Sequence, residues 1–210
     1  MPGKLTPGDR LVVGRGVLMH RQHRDALGRA GFDAAVAGGM RALMMEQRVE
    51  GWDGTLMGLR FKRLATRRAF MRAAGHPALA GLADADFKHL AGHSNFIEAY
   101  ERPATALTSY PLHWWHWGND NIVATYAIER PQAGAARALL VCGFDLGETA
   151  LLEIARGDGL ILFCQVDVTN RVGHDPVSTR LLGNLLAYVN SDAPSPSGPS
   201  LSKLIGQNRA

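Results

Sequence analysis

Short apolar runs bounded by glycine or polar turns alternate along this chain with stretches whose apolar positions recur every three or four residues. The first run, Leu11 to Val13, ends at Gly14-Arg15-Gly16 and predicts a buried strand entering a turn. From Val17 to Ala30 the charges keep to one side and Leu18, Leu27 and Ala30 to the other, which predicts a surface helix closed by Gly31. RALMMEQ (41–47) predicts a second strand, whereas residues 48 to 110 show no regular rhythm. After the turn signal Asn119-Asp120-Asn121 come strand candidates in IVATYAI, ARALLVCGF and LLEIA. Gly157-Asp158-Gly159 then turns the chain into LILFCQVDV. That run is apolar at successive positions, as in a strand covered on both faces. The clearest helix has Asp175 as N-cap, Pro176 at its first position, and Val177, Leu181, Leu182, Leu185, Leu186 and Val189 on one side. Asn190 stops it, and the Pro/Ser/Gly-rich stretch that follows is expected to be a disordered tail over 191–210.

Strand runs interleaved with helical patterns predict one α/β domain over residues 1–190, with a largely parallel sheet and an antiparallel pair near 138 to 166. Reactive groups in such sheets gather outside the carboxyl ends of strands. That rule nominates Glu46, Asp145 and Asp167.

A chain of 210 residues buries roughly 70% of its unfolded surface, enough to fold without a metal or a disulfide. Cys142 and Cys164 both sit inside apolar runs and read as buried free thiols. No apolar run reaches membrane-spanning length and no signal-peptide pattern opens the chain, so a cytoplasmic protein without a membrane partner is expected. The net charge of +4 is unevenly spread, because all the charges of RFKRLATRRAFMR (60–72) are positive. The stretch lacks the interleaved aromatics of a single-strand binder, and no helix-turn-helix or zinc-finger pattern accompanies it. It reads as a solvated basic face, or one meeting an acidic partner, and not as a nucleic-acid site. Gly14-Arg15-Gly16 fails as a dinucleotide fingerprint, since Met19 stands where the third glycine belongs.

Several ordered motifs carry a family resemblance: LVVGR, MMEQ, HPALAGLADADF (76–87), CGFDL (142–146), LLE, and FCQVDVTNR followed by DPVSTRLLGNLLAYV. Over residues 8 to 190 the chain resembles the class I glutamine-amidotransferase-like domains carried by large bacterial glycoside hydrolases, and more distantly the trimerisation domain of a β-galactosidase family. The resemblance implies a flavodoxin-like three-layer α/β/α sandwich with a mostly parallel sheet. It also implies an accessory or oligomer-forming role, with a second copy or a glycoside hydrolase catalytic domain as partner. A glutaminase of this type needs a Gly-x-Cys-x-Gly elbow and a later His-x-Glu pair. Leu140 and Leu162 stand two residues before Cys142 and Cys164, so neither thiol makes that elbow.

The densest chemistry is HWWHWGND (113–120). In a helix or compact turn His113, His116 and Asp120 form a nitrogen and oxygen set for zinc, able to activate water in a small ester, lactone or glycoside hydrolase. In an extended strand the two imidazoles point apart. Trp114, Trp115 and Trp117 suit stacking on a carbohydrate, but burial at a subunit interface ranks first, since clustered tryptophans more often serve a core or an interface. Ser94 in AGHSNF approaches an esterase elbow, with Phe96 where the second glycine belongs. Asp145, Glu148 and Glu153 offer carboxylates for glycoside hydrolysis. Asp167, Asn170 and Asp175 offer oxygens for calcium, although Asp175 is also the helix cap. His20 and His23 read as exposed.

Overall fold

The computed structural model describes residues 3–49, 53–97, 120–132 and 134–192. The tail expected over 191–210 lies almost wholly outside them. The described residues form one nine-stranded sheet flanked by three helices. In chain order these are β1 (Arg10–Val13), α1 (Arg21–Arg29), α2 (Phe32–Ala37), β2 (Arg41–Met44), β3 (Asp53–Leu56), β4 (Leu59–Thr66), β5 (Phe70–Met71), β6 (Ala124–Glu129), β7 (Ala136–Cys142), β8 (Glu148–Arg156), β9 (Gly159–Cys164) and α3 (Pro176–Asn190). The order across the sheet is β1-β2-β9-β8-β6-β4-β3, with β7 on β8 and β5 on β7.

The apolar run of β9 is explained by its two faces. Leu160, Leu162 and Cys164 join one hydrophobic cluster with Leu43 of β2 and Leu181, Leu185 and Val189 of α3. Ile161 and Phe163 join another with Ala42, Met44 and the α2 residues Phe32, Ala35 and Val36. Neighbouring side chains of a strand point to opposite sides, so a strand between two cores has no position left for a polar group. Asp175 caps α3 through Ser178 N at 2.6 Å, as its place before Pro176 predicts.

The fold class expected from the sequence is wrong. Only β1–β2 and β2–β9 run parallel, while the other six pairings among the described residues are antiparallel. The sheet is therefore mixed and strand-rich, not the mostly parallel sheet of a flavodoxin-like sandwich. The cause lies in the connections. Parallel neighbours need a crossover of a dozen or more residues, whereas tight turns dictate antiparallel pairs. The antiparallel pairing expected near 138 to 166 is present in β7, β8 and β9. It continues through β6, β4 and β3 because residues 53 to 71, read as irregular, contain a hairpin. Met57 and Gly58 supply its two left-handed residues, at φ 53° and 76°, the backbone that twists a two-residue turn correctly.

The basic stretch 60–72 runs along β4 and β5 and is not a free cationic face. Arg60 meets Glu129 at 3.0 Å, Lys62 meets Glu148 at 3.0 Å, and Arg68 meets Asp84 at 2.7 Å. The expected surface helix over 17–30 divides into a 3-10 turn at Val17–Met19 and α1.

A buried polar knot fastens α3 to the sheet. Tyr188 donates to Glu153 Oε2 at 2.5 Å. His76 Nδ1 accepts from Ala78 N, so the ring's proton sits on Nε2 and is donated to the same oxygen at 3.2 Å. Burial pushes the Glu153 carboxyl up, but the bonds from His76 and Tyr188 outweigh it and hold the group below its ordinary value.

Candidate functional site

The chemistry converges where the three parallel strands end. Beyond β2, Glu46 turns inward, and beyond β9 so does Asp167; both are buried. Glu46 Oε1 accepts three hydrogen bonds, from Val168 N at 2.7 Å, Thr169 N at 2.8 Å and Asn95 Nδ2 at 2.8 Å. Its other oxygen, Oε2, is buried without a partner. Burial is the main reason that the Glu46 carboxyl is pushed up to about 7, the backbone bonds only partly opposing it and Asp167 adding to it. Asp167 is likewise raised by burial, against bonds from Thr125 Oγ1 at 2.6 Å and Asn95 N at 3.3 Å.

Asn95 joins the two acids. Its Nδ2 also reaches Thr169 Oγ1 at 3.1 Å, and its Oδ1 accepts from Arg15 at 2.8 Å. Arg171, almost fully buried, donates to the carbonyls of Ile122, Asp167 and Gly92. Gln47 and Gln165 close the back of the cluster reciprocally. Gln47 N donates to Gln165 Oε1 at 2.7 Å, and Gln165 Nε2 to Gln47 O at 2.8 Å.

Of the nominated residues that the structure describes, Glu46 and Asp167 come together, whereas Asp145 and Asp120 stand elsewhere. Asp145 lies exposed in the β7–β8 turn, where its Oδ1 accepts from Gly147 N at 2.9 Å. Asp120 is exposed and pairs with His93 Nδ1 at 2.5 Å. His113, His116 and the three tryptophans lie outside the described residues. Glu148 and Glu153 have separate partners, Lys62 and the His76–Tyr188 knot. Among the described residues no three His, Cys, Asp or Glu side chains are grouped to hold a metal. Of the groups suggested for calcium, the Asp167 carboxylate accepts from Thr125 and the Asp175 carboxylate from Ser178 N and Ala91 N, while Asn170 donates its amide nitrogen to His93 O at 2.9 Å. His23, half-buried, bonds Val17 O, and His20 is exposed.

The nucleophile candidates are locked. Thr125 gives its one proton to Asp167, so Ser94 donates to Thr125 at 2.6 Å while its own oxygen accepts from Phe96 N and Ile97 N, each at 3.1 Å. Both cysteines are free and buried. Burial, reinforced by Glu148, pushes the Cys142 thiol up to about 12, and burial raises Cys164 as well.

Sequence reasoning missed Asn95, Thr125 and Arg171. One signal was available: MMEQ and FCQVD both follow an apolar run with a Gln and a carboxylate within two residues of each other, and polar groups there must find partners inside the fold. Compared with family models and with curated proteins, the chain finds no match. Among the described residues no helix is long and apolar enough to cross a membrane.

The raised Glu46 carboxyl gives a pH-dependent prediction. In the unfolded chain it ionises near 4.5, but in the fold only near 7. Below 4.5 both states hold the proton and folding is not penalised. Between 4.5 and 7 the unfolded state alone ionises, so stability falls, by on the order of 3 kcal/mol once pH exceeds 7. Glu46→Gln cannot ionise, so it is expected to gain on the wild type as pH rises from 4.5 to 7 and to keep that gain, unchanged, above pH 7. Urea unfolding at pH 5 and pH 8 checks this, and an equal difference at both values would refute it.

Proposed function

We propose that this chain is a non-catalytic accessory module, of the kind its resemblance to glycoside-hydrolase-associated amidotransferase-like domains implies, which works by associating with further copies of itself or with a hydrolase catalytic domain. The observation that carries this reading is the state of its nucleophiles. Both thiols are buried with their ionisation suppressed, and the Ser94 hydroxyl is engaged by three partners of its own chain. The strand-end carboxylates serve the same internal network, tying β2, β9 and the 93–97 segment together. Two exposed apolar residues support association: Phe144 in the β7–β8 turn and Val12 on the edge strand β1.

The test pairs turnover with light scattering. Purified protein is expected to leave glutamine and a panel of ester, lactone and glycoside substrates unchanged, and to self-associate as its concentration rises. Turnover abolished by a chelator and by His116→Ala would replace this reading with a metal-assisted hydrolase. A monomer at high concentration that also fails to bind a hydrolase catalytic domain would remove the association.

A further inference from the structure

Two features at opposite ends of β8 complement each other. The first is a knob. Phe144 is the only fully exposed large apolar side chain among the described residues. It stands on a tight turn that Asp145 braces through Gly147 N and that Gly143 and Leu146 shape with left-handed backbones, at φ 86° and 59°. The neighbouring Asp145 carboxylate is exposed beside it. A large ring held on a rigid turn loses little freedom when it is buried by a partner.

The second is a groove of about 500 Å³ between α1, α2 and the β3–β4 turn. Its apolar lining includes Leu18, Leu27, Phe32, Met57, Ile154 and Phe163. Two arginines, Arg24 and Arg156, also line it against one acid, Asp33. Arg156 shares a 3.1 Å ion pair with Asp33, and Arg24 bonds the carbonyls of Leu18 and Met19 through one nitrogen. That leaves the groove a net positive charge. α1 buries none of its own residues fully, so its apolar side has room for a partner.

We propose that Phe144 of one copy seats in this groove of the next, with Asp145 meeting Arg24 and Arg156. The ring supplies the apolar filling and the carboxylate the matching charge. Phe144 precedes the first residue of β8, while Ile154 and Arg156 lie at its far end. At about 3.3 Å per residue the two are roughly 20 to 25 Å apart, so a chain cannot fill its own groove. Such a contact is head-to-tail, and copies joined this way close a ring or extend as a filament. The inference rests on the self-association proposed above and names its surfaces.

Two variants and their mixture test it. Phe144→Ser removes the knob at an exposed turn position. Gly28→Trp fills the groove, for Gly28 lies on α1, lines the groove and has open space where a side chain would begin. Each is expected to weaken association about tenfold or more in light scattering, with native circular dichroism. Mixed, they are expected to form a one-to-one pair and nothing larger, because Gly28→Trp still offers a knob and Phe144→Ser still offers a groove. If the wild type associates and Phe144→Ser associates equally well, the knob is wrong and the accessory reading stands. A mixture that stays monomeric overturns the head-to-tail contact, and a wild type that never self-associates removes this proposal together with the self-association it rests on.

Discussion

Gly159→Ala is expected to destabilise the protein by about 4 kcal/mol or more, or to abolish soluble folding, although the substitution adds a single methyl group. Gly159 opens β9, where the β8–β9 turn presses on the end of α2. A Cβ there would lie 2.1 Å from Val36 O and 2.3 Å from Met40 O. Both obstacles are backbone and neither can swing aside. They are also held from several directions: Met40 N bonds Ala35 O, Leu160 N bonds Met40 O, and Asp158 N bonds Ala37 O. The neighbouring Gly157 is as tightly placed, at φ 60° with Ala37 O 2.2 Å from its would-be Cβ. Relief would require moving α2 away from Ile161 and Phe163 and opening their core. Gly183→Ala is the internal control. Gly183 is exposed within α3 and nothing lies within 4 Å of its would-be Cβ. There alanine is expected to stabilise by roughly 0.5 to 1 kcal/mol through helix propensity. Urea unfolding of the two variants beside the wild type decides the matter, and a loss at Gly159 below about 1 kcal/mol would mean that the close approach is not as rigid as described.

The same region shows what could be read from the sequence and what could not. The Gly157-Asp158-Gly159 turn was legible, as were strands at β1, β2 and β6 to β9 and the capped α3, because each is a local pattern of turn residues or of apolar spacing. Strand direction is not local. Whether β8 and β9 run parallel or antiparallel depends on a two-residue connection, while β2 reaches its parallel neighbour β9 only after more than a hundred residues. The hairpin of β3 and β4 was missed for an electrostatic reason. The cations of β4 disguise its alternation of Leu59 and Phe61 with the charged Arg60 and Lys62, and the acids that make those cations tolerable, Glu129 and Glu148, lie on strands distant in sequence. In the candidate site, Glu46 and Asp167 were found by their place at strand ends. Asn95, which joins them, lies in a segment whose sequence drew attention to Ser94 instead. Asp145 satisfied the strand-end rule equally well, yet it follows β7, whose paired neighbours are antiparallel, and it serves a turn.

Arg171→Met is expected to cost about 3 to 5 kcal/mol, nearly as much as the glycine substitution and by a different route. Methionine keeps most of the aliphatic length and the packing, but it removes a guanidinium that no water-exposed residue replaces. Three carbonyls, those of Ile122, Gly92 and Asp167, lose their charged donor, and each buried oxygen left short of partners adds its desolvation cost. The Asp167 carboxyl also loses the positive charge that partly offsets its burial, so its affinity for a proton rises further. The damage should be localised. Gly92 O also holds Asn121 N at 2.8 Å, and Arg171 is the side chain that gathers residues 92 and 122 against the strand ends, so the segments 92–97 and 120–122 depend on it directly. Hydrogen exchange is expected to quicken in those segments before it does in β9 or α3. Arg171→Lys should recover little, since one ammonium cannot address three carbonyls set around a planar fork. Uniform loss of protection across the whole sheet, or full rescue by lysine, would contradict the view that this buried cation organises residues 92–97 and 120–122.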